Sequence, residues 1–420
     1  MSHVHIIGAG LAGLSAAIEL TDAGRQVTLY ETGPAAGGRC RSYFDKELDL
    51  TIDNGNHLLL SGNRSAFAYI RKIGALDLMA GPNRPLFPFA DLKTGERWSV
   101  RPNKGRIPWW VFSKARRVPG TKLSDYRELA AIARIKDDTV VGESMRRGRL
   151  YWKLLEPLSI AALNTRPQAG LARLLGAVMR ETLLRGGKAC IPSFPAEGLS
   201  EALIDPAIKL LTERGATVHF NRRVSALTLS NDRVNAIHTG DTAIPIPAGD
   251  SVVLAVPPWV AADLLPGLVA PDAFEAIVNL HFKIDVVPEG DVAETGFLGV
   301  IDGTAEWIFI KPGYVSITIS AANGIVDDPS RAIAATVWPN VRAALNLPGS
   351  PDAALPPFRV IKEKRATFAA TAVQELRRPP ARTDWLNLAL AGDWTRTGLP
   401  ATIEGAIRSG VTAAKAILSA

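Results

Sequence analysis

The sequence predicts an α/β fold that is interrupted by a mixed α+β domain. Residues 3–7 form an apolar strand that leads through a glycine-rich turn into an apolar helix, and a second strand follows at 26–30. Near the other end, the apolar strand 388–391 stops at Gly392 and precedes a helix over about 402–418. Strand–turn–helix units of this kind build parallel sheets that helices cover, so both ends of the chain are expected to share one Rossmann-like sheet.

The turn after the first strand has the glycine spacing of a dinucleotide-binding motif. Gly8 permits a tight turn, Gly10 lets the backbone approach a pyrophosphate, and Gly13 lets the helix pack closely on the strand. The start of the helix, at Leu11 and Ala12, offers free N–H groups to the phosphates. The turn therefore predicts a bound dinucleotide.

Two acidic residues extend this prediction, and the second of them favours FAD as the dinucleotide. Glu31 ends the second strand, where a carboxylate accepts hydrogen bonds from the adenosine ribose. Asp393 follows Gly392 at the end of the late strand and is placed to accept hydrogen bonds from the ribityl chain of a flavin. The helix that follows would direct its positive N-terminal end at the flavin N1–O2 edge, where reduction builds negative charge.

These segments resemble the FAD-dependent amine oxidase and carotenoid desaturase superfamily. Besides the glycine turn and Glu31, the Gly-Gly-Arg of residues 37–39 and the terminal Gly-Asp…Glu-Gly-Ala pattern carry the resemblance. The tail 391–406 resembles one branch in particular, the squalene-associated flavoproteins known as hydroxysqualene dehydroxylases, and segments 53–57 and 161–165 fit the same branch. The resemblance covers nearly the whole chain, and it implies a Rossmann-like FAD-binding domain of the amine oxidase/desaturase type.

The resemblance also implies how FAD is held. The loop after Asp53 is expected beside the isoalloxazine ring, and the backbone of Val224 is expected at the adenine. No cysteine lies near the expected ring position, so we expect FAD to be bound noncovalently. The residues expected to contact FAD are Gly8, Gly10, Leu11, Ala12, Gly13, Glu31, Gly38, Arg39, Gly55, Asn56, His57, Val224, Gly392, Asp393, Thr402 and Ile403.

The flavin-binding domain is predicted to be discontinuous. It consists of residues 1–75, 198–256 and 384–420, and the insertions 76–197 and 257–383 form a substrate domain that faces the membrane. The elements predicted within these segments are helices at 126–136, 171–184 and 199–214 and strands at 216–220, 224–229, 234–238, 251–256 and 314–319.

Composition agrees with a globular redox enzyme. The 420 residues are 47% hydrophobic and 21% charged, which allows two domains with substantial cores. Two cysteines give no disulfide framework, and six scattered histidines lack metal-ligand spacing, so we expect no metal centre. The first strand begins near residue 3 without a charged leader, and no apolar run reaches the ~18 residues of a spanning helix, so a cytoplasmic protein is expected.

The resemblance implies reductive dehydroxylation, in which reduced FAD delivers a hydride from N5 to an allylic carbon of hydroxysqualene and squalene forms. The departing hydroxide needs a proton, and His57 is the candidate acid unless it is a structural histidine bonded to backbone. Asn164 and Thr165 are candidates to orient the hydroxyl. Glu404 is interpreted as a helix-start residue whose carboxylate suits the helix dipole.

Three alternatives stay open. A carotenoid or isoprenoid desaturase shares the flavin motifs and the apolar substrate. An amine oxidase is less favoured, because Thr402 stands where such enzymes place one aromatic ring of the amine cage. A non-enzymatic carrier of prenylated proteins has the same fold but no need for Glu31, Arg39 or Asp393. Since no second glycine fingerprint is present, the reductant is either NAD(P)H visiting the flavin site or an external protein donor.

One segment, residues 98–124, is basic and aromatic and has no acidic residue before Asp125. Interfacial anchors combine aromatic rings with Lys and Arg, so this segment is expected to contact the inner face of the cytoplasmic membrane peripherally. The alternative is a loop whose tryptophans pack under a neighbouring helix. No nucleic-acid-binding pattern accompanies the charge, so no nucleic-acid partner is expected. The expected contact residues are Trp109, Trp110, Phe112, Arg116 and Arg117.

Overall fold

The structure, a computed structural model, describes residues 2–230, 232–348 and 354–419, so a few positions of the predicted domain segments lie outside it. The strands, in chain order, are β1 (His3–Ile7), β2 (Gln26–Tyr30), β3 (Ser42–Asp45), β4 (Leu50–Asp53), β5 (Leu59–Leu60), β6 (Met79–Ala80), β7 (Phe87–Asp91), β8 (Arg97–Val100), β9 (Pro192–Pro195), β10 (Thr217–His219), β11 (Ala226–Ser230), β12 (Arg233–Thr239), β13 (Thr242–Pro245), β14 (Ser251–Leu254), β15 (Phe274–Lys283), β16 (Phe297–Ile301), β17 (Trp307–Lys311), β18 (Tyr314–Ile319), β19 (Phe358–Phe368) and β20 (Leu388–Leu390). The helices are α1 (Leu11–Asp22), α2 (Arg64–Lys72), α3 (Arg127–Ile132), α4 (Val141–Ser144), α5 (Glu156–Leu163), α6 (Ala172–Glu181), α7 (Asp205–Glu213), α8 (Pro258–Leu264), α9 (Gly290–Thr295), α10 (Ser330–Leu345), α11 (Ala372–Leu376) and α12 (Ile403–Leu418).

A five-stranded parallel sheet has the order β10-β2-β1-β14-β20. Its strands come from the three segments 1–75, 198–256 and 384–420. They are apolar because both faces are covered: α1, α2, α7 and α12 pack on one side, and the small sheet β11-β12-β13 packs with α8 on the other. Ile6 lies in register between Leu29 and Val253. The carboxyl ends of these strands therefore meet at one edge, where Gly8 begins the glycine turn.

A seven-stranded sheet has the order β19-β15-β18-β17-β16-β7-β8 and draws its strands from the two insertions. Alternate apolar residues on one face, such as Phe282 and Ile317, pack under α10. The alternation places polar residues, among them Asn279 and Thr318, on the opposite face. A layer that contains α3 to α6 packs beyond that sheet and encloses a separate hydrophobic core. Asn279, Ser316 and Thr318 form a polar strip on that opposite face, and this strip contacts the flavin-binding segments.

Several predicted helices are shorter than expected. The predicted helix 199–214 begins as a π-helical turn, Ser200–Ile204, and becomes α-helical only in α7. Pro206 explains the break, because proline has no N–H to bond the carbonyl four residues earlier. The predicted helix 126–136 is shorter as well, because a 3-10 turn, Leu123–Tyr126, precedes α3 and α3 ends at Ile132. In the predicted helix 171–184, α6 ends at Glu181 and a 3-10 turn, Leu183–Arg185, follows it.

The aromatic segment expected at the membrane forms a 3-10 turn, Trp109–Phe112. Trp110 is only 3% exposed, and its ring meets Tyr126 edge-on with centroids 5.1 Å apart. The prediction that Trp110 faces a membrane is therefore wrong, because the turn uses this residue as its buried anchor. Arg117 is half-buried and donates a hydrogen bond to the carbonyl of Val111 at 3.0 Å, so it too supports the turn.

Candidate active site

The glycine turn after β1 is tightly packed at two of its three glycines and leaves room for a ligand at the third. A Cβ on Gly8, whose φ is +101°, would lie 2.5 Å from the carbonyl oxygen of Ala255. A Cβ on Gly13 would lie 1.9 Å from the carbonyl oxygen of Gly8, so α1 packs tightly on the end of β1. Gly10 has no such neighbour within 4 Å. Its backbone is therefore open to a pyrophosphate, as the sequence predicts.

The N-terminus of α1 and the second glycine pair complete this cradle. Leu11 and Ala12 open the helix, and the N-cap position has no side-chain hydrogen bond, which leaves the first N–H groups to a ligand. The N–H of Gly37 donates to the carbonyl of Ala9 at 2.9 Å, and Gly38 takes a positive φ of 58° beside Gly10. The Gly-Gly-Arg segment thus lies directly against the glycine turn.

Glu31 is held in place at the end of β2. Its carboxylate accepts the N–H of Ala9 at 2.9 Å and the N–H of Gly33 at 2.8 Å. A carboxylate has about four acceptor sites, so these two bonds leave capacity for ribose hydroxyls. The N–H of Arg222 donates to the carbonyl of Glu31 at 2.8 Å, which brings the chain before Val224 to the same end of the sheet. The position agrees with the adenine contact expected for Val224.

The two ends of the chain meet through Arg39 and Asp393. The guanidinium donates to Asp393 Oδ1 at 2.7 Å and also to the carbonyl of Ala366. Gly392 has a φ of +148° and donates its N–H to Ser409 of α12 at 2.8 Å. The Gly-Asp motif is therefore tied both to the Gly-Gly-Arg segment and to the final helix.

The start of α12 has two different roles. Thr402 caps the helix, because its hydroxyl accepts the N–H of Gly405 at 3.0 Å, and Ile403 follows as the first helical residue. The buried carboxylate of Glu404 accepts the N–H groups of Ser65 at 3.1 Å and Ala66 at 2.8 Å. Glu404 lies in the first turn of its own helix, as interpreted from the sequence, but its hydrogen bonds cap α2. The sequence could not reveal that partner.

The loop 54–57 docks on the polar strip of the large sheet. The side-chain amide of Asn56 donates to Ser316 at 2.8 Å and to Thr318 at 3.0 Å. Asn279 donates to the carbonyl of Asn54 at 3.2 Å. A Cβ on Gly55 would lie 2.9 Å from the amide nitrogen of Asn279, so a larger residue would displace the Asn279 side chain. The loop expected beside the flavin ring thus joins the two sheets.

His57 is half-buried in this loop and is electrostatically poor as an acid. Burial, and then the charge of Arg39, lower the pKa of His57 to about 4. The imidazole is therefore neutral near pH 7 and has no readily released proton. A neutral ring can still donate or accept a hydrogen bond.

Asn164 and Thr165 are committed to bonds within the protein. Asn164 ends α5 in the left-handed conformation, and its amide donates to Thr367 at 2.9 Å while its oxygen accepts the N–H of Ala321 at 2.7 Å. The hydroxyl of Thr165 donates to the carbonyl of Leu163 and accepts the N–H of Ala370 at 2.9 Å. Both side chains are buried. The geometry gives them a structural task and does not support the expected orientation of a hydroxyl.

Glu306 is an ionisable group that the sequence motifs did not indicate. It immediately precedes β17, and its carboxylate accepts the N–H of Ser320 at 2.7 Å. Burial raises the pKa of Glu306 to about 7, while the nearby charge of Arg166 acts in the opposite direction. Glu306 therefore holds its proton to much higher pH than an ordinary carboxyl group. The only local signal was one acid in an otherwise apolar run, residues 305–310.

A histidine–aspartate cluster lies toward the amino-terminal ends of the parallel strands β1 and β14. Ligand atoms of His3, His5 and Asp250 lie within 4.8 Å of one another, a grouping that histidine spacing alone did not predict. The second ring nitrogen of each histidine is hydrogen-bonded, to Thr28 at 2.9 Å and to Tyr30 at 3.0 Å. His3 starts β1, whereas the glycine turn follows the carboxyl end of the same strand. The cluster is therefore separate from the flavin-binding edge.

Comparison with known proteins identifies the family. The model of the flavin containing amine oxidoreductases matches residues 11–284 and 312–418. A hydroxysqualene dehydroxylase of Sinorhizobium fredii is 48% identical over 99% of this chain and 98% of its own length, and one of Rhodopseudomonas palustris is 47% identical over the same shares. The chain belongs to the hydroxysqualene dehydroxylase family.

More distant relatives agree with this position within the superfamily. A probable zeta-carotene desaturase of Synechococcus elongatus is 25% identical over 99% of the chain. An oxidoreductase structure from Methanosarcina mazei has a TM-score of 0.72 at 16% identity and covers 97% of this chain and 98% of its own, which supports the fold. Like the other flavin amine oxidoreductases, this member of the hydroxysqualene dehydroxylase family is an FAD-dependent oxidoreductase. The open backbone at Gly10, the two free acceptor positions of Glu31 and the Arg39–Asp393 pair fit that cofactor.

Proposed function

We propose that this protein removes the hydroxyl group of hydroxysqualene reductively and releases squalene. The observation that carries the proposal is the full-length similarity to hydroxysqualene dehydroxylases, at 47–48% identity for the two relatives described. The joined glycine turn and Gly-Asp motif supply the flavin site that such a redox reaction requires. Desaturases match at about half that identity, and Thr402 leaves an amine without its aromatic cage.

The reaction balances as one hydride and one proton gained by the substrate. When bound and reduced, FAD would supply the hydride for the allylic carbon; the C–O bond of the substrate would break, and the hydroxyl would leave as water after gaining a proton. The oxidised flavin must then be reduced again by NAD(P)H or by an external protein donor. The sequence contains no second glycine fingerprint that would indicate a nicotinamide cofactor.

We propose that Glu306 rather than His57 supplies the proton. A pKa of about 7 keeps much of the Glu306 carboxyl protonated at neutral pH, whereas His57, with a pKa of about 4, is neutral there. Glu306 precedes Trp307, which lies opposite Thr318 in the sheet, and Thr318 accepts a hydrogen bond from Asn56. Along the chain, Glu306 is therefore next to a strand position that pairs with one of the residues on which the loop expected beside the flavin docks.

An apolar wall suits a long isoprenoid substrate. Phe194, Phe297 and Phe309 form a buried aromatic cluster that packs against Leu58, the residue after His57. We propose that these residues exclude water beside the reacting carbon, because water would compete with the hydride for that carbon. We propose that the hydrocarbon chain of the substrate lies along this side of the flavin loop.

The proposal is tested by incubating the purified, chemically reduced protein with hydroxysqualene in detergent and measuring squalene. Squalene should appear only with the reduced protein, and the yellow colour of oxidised flavin should return as it forms. Conversion of squalene or phytoene to more unsaturated products, without dehydroxylation, would identify a desaturase instead. A colourless protein that binds prenylated chains without turnover would identify a carrier.

A further inference from the structure

Three apolar side chains of the segment 104–116 are exposed to solvent, although the buried ring of Trp110 anchors the segment. Trp109 is 63% exposed, Phe112 62% and Ile107 59%. The rings of Trp109 and Phe112 pack against each other with centroids 5.9 Å apart. Large apolar residues gathered on one exposed surface, rather than scattered singly, are a recognised sign of an interaction site.

The surrounding contacts fix this outward orientation. The side chain of Asn103 accepts the N–H of Trp110 at 3.1 Å and donates to the carbonyl of Ile107 at 2.9 Å. The backbone of residues 103 and 104 also accepts N–H groups from Gly187 at 3.0 Å and Lys188 at 3.1 Å. With Trp110 buried beneath, the turn cannot fold its other two aromatic rings inward without losing these bonds. These contacts therefore hold the two exposed rings on the surface.

The charge around the rings is strongly positive. Residues 101–153 contain fourteen Lys or Arg and five Asp or Glu, a net charge of +9, whereas the whole chain carries +7. The remainder of the protein is therefore slightly acidic. Four cations of the segment are exposed immediately beside the apolar residues: Lys104, Arg106, Lys114 and Arg116.

We propose that Ile107, Trp109 and Phe112, together with these four cations, dock the protein on an anionic phospholipid bilayer. Indole and phenyl rings settle at the headgroup level, and Lys and Arg side chains attract anionic lipid within a Debye length. No helix of the described residues is long and apolar enough to cross a membrane, so the contact is interfacial. The proposal concerns a surface of the protein and does not rest on the proposed reaction.

The test compares two double variants with a matched control. Lys114→Gln with Arg116→Gln removes two exposed cations, and Trp109→Ser with Phe112→Ser removes both rings. The control makes the same kinds of change elsewhere on the exposed surface: Lys46→Gln, Lys93→Gln, Val373→Ser and Leu376→Ser. Sedimentation with phosphatidylglycerol–phosphatidylcholine vesicles at low salt measures binding, and flavin absorbance with far-UV circular dichroism verifies that each protein is folded.

The charge variant should partition about thirtyfold more weakly, since each cation contributes ~1 kcal/mol near an anionic surface. The ring variant should also bind more weakly and should lose binding to pure phosphatidylcholine vesicles, while the control should equal wild type. Wild-type binding by the ring variant would overturn the proposal in favour of a general polyanion site. If the wild-type protein does not bind vesicles but forms a dimer, and the ring variant is a monomer, the surface is a contact between copies of this chain and the proposal is wrong.

Discussion

Arg39 and Asp393 stand 354 positions apart in the sequence, yet their side chains form an ion pair with 2.7 Å between Nη2 and Oδ1. Asp393 is almost fully buried, whereas Arg39 keeps part of its surface in solvent. Because the pair joins the Gly-Gly-Arg segment to the Gly-Asp motif, it connects the first and last parts of the flavin-binding domain. The cofactor site therefore depends on a contact that neither motif contains alone.

Asp393→Asn should weaken FAD binding by roughly tenfold or more. The change leaves the Arg39 guanidinium without its carboxylate, and a hydrogen bond to a charged group contributes about 1.5–3 kcal/mol. The measurement is the recovery of flavin fluorescence on dilution, as FAD leaves the protein. Asp327→Asn, which breaks the exposed pair between Asp327 and Lys364, is the control and should retain FAD like wild type. Equal retention by both variants would remove the ion pair from the account of cofactor binding.

FAD should be held without a covalent bond. Both cysteines are buried and free, and Cys40 follows the Gly-Gly-Arg segment on the phosphate side of the site. Burial raises the pKa of each thiol, so neither thiolate is available to attack the flavin. Acid precipitation should release all of the flavin into the supernatant. A yellow protein pellet would contradict this expectation.

Glu404→Ala should destabilise the fold by about 1–2 kcal/mol, the usual effect of losing a helix cap. The carboxylate accepts two N–H groups at the start of α2 and pairs with Arg408 at 2.8 Å. Glu404→Gln keeps one acceptor oxygen and should lose less. The midpoint of urea unfolding with FAD saturating ranks the three proteins. Identical midpoints would show that water replaces the cap.

Turnover should decline as the pH rises through about 7, if Glu306 is the proton source. Its raised pKa means that the protonated form is present below about pH 7 and is lost above it. Glu306→Gln should slow turnover by ~10²-fold, abolish this limb of the pH profile and retain FAD. Glu275→Gln changes another partly buried acid near Arg166 and is the matched control. A limb that survives in Glu306→Gln would return attention to His57 or ordered water.

The parts of the structure that depend on local chemistry were predicted well from sequence. Gly8, Gly10 and Gly13 specify their turn through backbone geometry, and the strand 314–319 follows from its own alternation and matches β18. Motifs of the same local kind predicted the family and FAD, and the comparisons with known proteins confirm both. Spacing in the sequence is sufficient where neighbouring residues create the structure.

The rest depends on contacts between distant segments. Asn164 receives partners from residues 321 and 367, and Glu404 receives them from residues 65 and 66, so neither role could be inferred from its own motif. Trp109 and Trp110 are chemically equivalent neighbours, and it is packing against Tyr126 and other distant residues that buries Trp110 while Trp109 stays exposed. Glu306 acquires its high pKa from burial, a property of the assembled fold.

The central claim, that a hydride from the flavin replaces the hydroxyl of hydroxysqualene, is tested most directly by the position of an isotope. The protein is reduced in deuterated buffer and given hydroxysqualene under slow turnover, so that the N5 hydrogen of the flavin first exchanges with solvent. The account predicts squalene that carries deuterium at the former carbinol carbon, in an amount equal to the flavin oxidised. Squalene without deuterium at that carbon, or a more unsaturated product in its place, would contradict it.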